Sequence, residues 1–216
     1  MKEVPVVLLR LKRACRQYFR NNWLLGLILV IFFMAGLIFG AIGAKSLDQG
    51  MKNELSNTMQ NFITKVPGLS LDKKAAIKGS LVQNMYVILT MYILGLSVVG
   101  GILVPVLVFT RGFTLGFTVG FLAYDQAWKG VLLSIVSVIP QNLIFIPVLL
   151  ISGMFTLTFS VFFAKSRFMF REFEAGRPAL FYTVGMGCAA VMTGAGCLME
   201  AYITPSLIKY SIALLF

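Results

Sequence analysis

The sequence predicts an all-α, polytopic integral membrane protein with about five transmembrane helices, one of them long and kinked or broken, and an outer amphipathic helical loop. Three observations carry this expectation. Of 216 residues, 58% are hydrophobic and only 12% are charged, against roughly 25% charged in a typical soluble domain. Most of the chain lies in apolar runs long enough to cross the ~30 Å hydrocarbon core of a bilayer. Small residues recur at four-residue spacing in two of those runs, as in helices that approach closely in lipid. Little sequence remains for a separate soluble domain of about 100 residues, so residues 1–216 are read as one transmembrane domain.

Residues 1–22 hold Lys2, Arg10, Lys12, Arg13, Arg16 and Arg20 against the single acid Glu3. Such a basic flank keeps the N-terminus in the cytoplasm. The first span, 23–44, is too long for a signal-peptide core and remains as an anchor. Gly36, Gly40 and Gly43 suggest tight helix contact near its outer end. Residues 45–80 form the extracytoplasmic loop, where Leu47, Met51, Leu55, Met59, Phe62, Ile63 and Val66 fall at steps of three or four, the spacing of an amphipathic helix. Pro67-Gly68 ends that helix, and Ser70 can cap a second one leading into the next span.

The second span is placed at 81–109, bent by Gly100-Gly101 and Pro105, with Arg111 marking its cytoplasmic end. Gly112, Gly116 and Gly120 then form one smooth row on a third span, 112–127, short enough that a re-entrant segment is an alternative. The fourth span, 130–163, is interrupted by Pro140-Gln141-Asn142 and by Pro147. Neither proline can donate to the helix ladder. The amides of Gln141 and Asn142 are suited to brace the freed carbonyls. The last span, 178–202, carries a second small-residue row through Gly185, Ala189 and Thr193, continuing to Cys197 and Ala201, with Glu200 near its outer end.

These residue types narrow the function. The net charge of +11 comes from basic residues flanking apolar spans, which read as topology signals and lipid contacts rather than a nucleic-acid surface. The chain has no histidine, so Ser-His, Cys-His and imidazole-metal chemistry are excluded. Cys15, Cys188 and Cys197 have no metal-ligand spacing. No cofactor is expected, and enzymatic activity is not expected. A surface for partners is expected on Met51, Leu55 and Phe62 of the loop, with Asp125 and Glu200. Two small-residue rows are also compatible with a homodimer. A transporter or channel using the helix break at Pro140-Gln141-Asn142 is the alternative.

Four blocks carry a family likeness: GFTVGFL from Gly116, W-x-G-x-x-L-S-x-V-S-V-x-P-Q-N from Trp128 to Asn142, I-x-I-P from Ile144 to Pro147, and E-A-Y-x-x-P from Glu200 to Pro205. Together they resemble the stage II sporulation protein M family of endospore-forming bacteria, over nearly the whole chain. The resemblance implies a multi-pass protein of the mother-cell septal membrane, needed for septal peptidoglycan thinning and forespore engulfment. It implies a complex in which stage II sporulation proteins D and P degrade peptidoglycan and the M protein recruits and holds them. The wider family often has Pro-His-Gly followed by Glu where this chain has Pro140-Gln141-Asn142 and the apolar Ile144 to Ile146. Any role of that His or Glu is not carried over.

Overall fold

The computed structural model of the chain describes the backbone of residues 17–18, 20–65, 73–168 and 176–215. Side-chain surroundings are described for these except 59, 62–65, 73–76, 125–141, 167–168, 177 and 201–215. All regular structure among the described residues is helical: α1 (Trp23–Lys45), α2 (Gln49–Lys65), α3 (Lys73–Gly95), α4 (Gly100–Phe168) and α5 (Gly176–Leu215). Among the described residues five stretches are long and apolar enough to cross a membrane: Trp23–Lys45, Ile77–Gly95, Gly100–Tyr124, Asn142–Ser166 and Pro178–Glu200. The protein is an all-helical, multi-pass membrane protein.

Helix α4 holds two of these spans within 69 residues. A straight helix would separate Gly101 from Ser160 by roughly 90 Å at 1.5 Å per residue. Instead a Cβ on Gly101 would lie 3.6 Å from the Ser160 hydroxyl. The chain therefore reverses between the spans, and Gly100–Tyr124 and Asn142–Ser166 are antiparallel arms. Gly153 facing Leu29, Val104 and Val108 fixes the same register.

The first arm runs parallel to α1, because Gly112 meets Phe33, Gly116 meets Leu37 and Gly120 meets Ala41. Two parallel spans need one crossing back between them, which α3 supplies. Helix α5 is antiparallel to α3, with Ser80 beside Cys197 and Tyr92 beside Thr183. The core where the helices meet includes Leu29, Met91, Val104, Val108 and Tyr182, all at most 2% exposed. Outward-facing Ile31, Phe39, Tyr86, Ile102 and Leu180 remain exposed. That is the pattern of a bundle whose solvent is lipid.

Several boundaries differ from those read in the sequence. The second span ends at Gly95 and the third begins at Gly100, so the turn lies at 96–99 rather than after Phe109. Arg111 consequently sits inside the third span and not at an end. The turn is packed too tightly for side chains at its flanks: a Cβ on Gly95 would overlap the Tyr182 phenol, and one on Gly100 the Leu94 carbonyl. Its carbonyls find partners across the bundle. Tyr182 donates to Met91 O at 3.1 Å and Tyr92 O at 3.0 Å, and Ser160 donates to Ser97 O at 2.9 Å. Carbonyls at a helix C-terminus lack intrahelical donors, so these hydroxyls close the turn. Pro105 lies within α4, past the bend assigned to it.

The third span, at 25 residues, is long enough to cross fully. The described part of the fourth span opens at Asn142, and the side chains of Pro140 and Gln141 lie outside the described residues. Packing also starts earlier than the first span, since Tyr18 stacks on Phe155 at 5.0 Å. Pro67-Gly68 and Ser70 lie outside the described residues.

Candidate functional site

Two features stand out in the bundle: a glycine-lined helix pair and a polar cavity beside it. In the helix pair the two glycine rows interleave. A Cβ on Gly36 or Gly40 would overlap the carbonyl oxygen of Phe109 or Phe113, and one on Gly112 or Gly116 that of Phe33 or Leu37. At Gly120 the added atom would lie 2.9 Å from Ala41 Cα. Backbones thus touch along three helical turns, with carbonyls of one helix aimed at glycine Cα atoms of the other, the approach at which Cα–H···O contacts form. Phe109, Phe113 and Phe117 stack in sequence along the flank, with centroids 6.5 and 6.2 Å apart.

The row on α5 packs differently. Gly185 faces the ring of Phe155, which a Cβ would meet at 3.2 Å, while Ala189, Thr193 and Cys197 are buried. Beside this row Gly196 likewise meets side chains rather than another backbone, those of Ile144 and Phe145. A stack of Tyr92, Tyr182 and Phe159, with centroids 5.4 and 4.6 Å apart and rings within 7° of parallel, fills the opposite end of the α3–α5 contact.

All five spans contribute to the cavity, which encloses about 120 Å³. Its apolar wall includes Phe33, Ile88, Phe145 and Leu149, and its polar wall is formed by Gln83, Asn84, Arg111, Thr114, Asn142 and Thr193. Thr114 and Thr193 donate to Thr110 O and Ala189 O, both at 2.9 Å, leaving their oxygens as acceptors. Asn84 donates to Ser80 O at 3.0 Å. Arg111 has no hydrogen-bond or ion-pair partner among the described residues. One turn from Asn84, the Ser80 hydroxyl donates to the half-buried Glu200 carboxylate and lies 3.5 Å from Cys197 Sγ.

A family model described as stage II sporulation protein M matches residues 29–205. The chain belongs to the stage II sporulation protein M family. No curated protein and no solved structure matches it. The family match spans both the glycine-packed pair and the cavity, from Leu29 in α1 to Pro205 in α5.

The remaining residues singled out in this family member are distributed as follows. Asn142 lines the cavity and Pro147 is exposed, while the side chains of Pro140 and Gln141 lie outside the described set. On α2, Met51 is 60% and Leu55 38% exposed. Lys52 ties this helix to the bundle by donating to Lys45 O at 3.1 Å and lying 4.5 Å from the Tyr124 ring centre. The side chains of Phe62 and Asp125 are outside the described residues. Glu200 is half-buried and accepts a hydrogen bond from Ser80. Among the described residues no three His, Cys, Asp or Glu side chains are grouped as metal ligands would be. Sequence reasoning missed Arg111 as a cavity residue because a cation beside an apolar run reads as a membrane boundary. The length of the run on either side of it was the available signal.

Proposed function

We propose that this sporulation-related membrane protein is a non-enzymatic scaffold that recruits and holds peptidoglycan-degrading partners, the stage II sporulation D and P proteins, for septal thinning and engulfment. In this reading it resides in the mother-cell membrane with its N-terminus in the cytoplasm, which puts α2 on the outer side. The observation that carries the reading is α2 itself. It is an amphipathic helix fastened through Lys52 to the end of α1 and to Tyr124 at the end of the first arm of α4, and it presents Met51 and Leu55 outward. A helix held in place with exposed apolar residues offers anchors of the type that a partner groove receives. The spans behind it, locked backbone to backbone, supply a rigid base.

The test is Met51→Glu combined with Leu55→Glu. The variant should accumulate in the membrane at the wild-type level yet lose co-purification with the D and P proteins and arrest engulfment. Undiminished partner recovery by that variant refutes the scaffold surface on α2. The polar cavity favours a second reading, a transporter or channel. Solute flux in proteoliposomes that is lost in Arg111→Gln would put it first.

A further inference from the structure

We propose that the cavity between the five spans is a binding site for a single small oxyanion, a phosphate or carboxylate group, with Arg111 as its principal ligand. Arg111 is the twelfth residue of the 25-residue span Gly100–Tyr124, so its Cα lies about 17 Å from one end and ~20 Å from the other. A guanidinium at such depth is costly unless it meets an opposite charge or water. No described residue supplies that charge: Arg111 has neither ion pair nor hydrogen bond, and the Glu200 carboxylate is engaged by Ser80. Thr193, which lines the cavity, lies seven residues before Glu200 on α5, roughly 10 Å along the helix.

The surroundings of Arg111 suit an anion better than another cation or an apolar molecule. Gln83 lines the same cavity and, like Arg111, has no hydrogen-bond or ion-pair partner among the described residues. The guanidinium, with five N–H donors, and the Gln83 amide, with two, thus border a space whose described lining holds no carboxylate. The planar fork of arginine matches two oxygens of a carboxylate or phosphate at once. The volume of about 120 Å³ equals about four waters at ~30 Å³ each. That admits one oxyanion group with a water or two, and is far below the roughly 300 Å³ or more of sites for larger ligands. Gln83 is exposed while lining the cavity, so the mouth lies beside it. The anion enters there from solution or as the phosphate of an anionic lipid.

The experiment measures the thermal unfolding midpoint of the full-length protein in nanodiscs. One arm titrates inorganic phosphate, against chloride at equal ionic strength, in phosphatidylcholine discs. The other arm replaces part of the phosphatidylcholine by phosphatidylglycerol with no phosphate added. The wild-type midpoint should rise by about 2–8 °C in at least one arm. A rise with phosphate assigns a soluble anion, and a rise only with phosphatidylglycerol assigns a lipid headgroup. Arg111→Gln should abolish the rise, whereas Lys78→Gln, exposed on α3, should keep it. Should Arg111→Gln fail to fold, Gln83→Leu at the mouth must raise the half-saturating concentration several-fold. The proposal is overturned by an absent rise in both arms, by equal responses in wild type, Arg111→Gln and Gln83→Leu, or by stabilisation that appears only when an acidic partner helix is co-expressed.

Discussion

Replacing Gly116 by alanine adds one methyl group at the tightest point of the α1–α4 contact. The new Cβ would overlap the Leu37 carbonyl oxygen and lie 2.7 Å from its carbon and 2.8 Å from Leu37 Cα. Ordinary contact between carbons begins near 3.5 Å, so the two helices must part by about 1 Å. The obstacle is backbone, which cannot rotate away as a side chain would. Overpacking of this kind costs about 1–3 kcal/mol, and the higher helix propensity of alanine returns up to ~1 kcal/mol. Gly187 isolates the second effect, because nothing lies within 4 Å of a Cβ there. Gly116→Ala should therefore lower stability by a net ~1–2 kcal/mol, about 2–8 °C in unfolding midpoint for a chain of this size, while Gly187→Ala stays level or gains slightly. Thermal unfolding of both variants in detergent, followed by circular dichroism, reads the difference directly. If the two variants unfold together, the backbone contact is not what holds the pair. Gly116→Leu is the larger version of the same change, and normal protein levels and partner localisation in cells carrying it would refute the packing argument.

Other substitutions probe the rest of the bundle. Tyr182→Phe removes the donor to Met91 O and Tyr92 O while keeping the ring stack, so it should cost roughly 1–2 kcal/mol in thermal unfolding and loosen the 96–99 turn to proteolysis. Ser152→Ala should be neutral or stabilise by up to ~1 kcal/mol in the same assay, because the buried Ser152 hydroxyl has no hydrogen-bond partner among the described residues. Lys52→Ala should speed amide hydrogen exchange across 49–61 without shifting the unfolding midpoint of the spans, since it severs the bond to Lys45 O and the contact with the Tyr124 ring.

Apolar runs and small-residue spacing are properties of one helix at a time, and both could be read along the sequence. The glycines at 36, 40, 112, 116 and 120 announced a close approach, but one sequence cannot say which rows meet or in which direction. The structure joins the α1 row to the α4 row in parallel and gives the α5 row a wall of side chains, with Gly185 on Phe155. Position along the bilayer normal was harder to read. Arg111 looked like a boundary because the positive-inside bias acts on cations near membrane ends. The same residue is tolerated within a span when it faces a polar cavity, a condition that depends on Gln83, Asn142 and Thr193 from three other spans.

The two kinds of contact divide the labour within the bundle. Along α1 and the first arm of α4, backbone touches backbone, so the two helices have one available register and a methyl group is enough to disturb it. Along α3, α5 and the second arm of α4, aromatic rings and hydroxyls mediate, as in the Tyr92, Tyr182 and Phe159 stack. Side chains can change rotamer where backbones cannot move independently. The proposed anion site beside Gln83 thus lies between the rigid pair on the Arg111 side and the adjustable helices on the other. Since α2 is fastened to the ends of that rigid pair through Lys45 and Tyr124, displacement of α3 and α5 leaves the exposed Met51 and Leu55 in place. In the proposed scaffold reading, the surface offered to partners stays fixed while the interior accommodates the proposed anion.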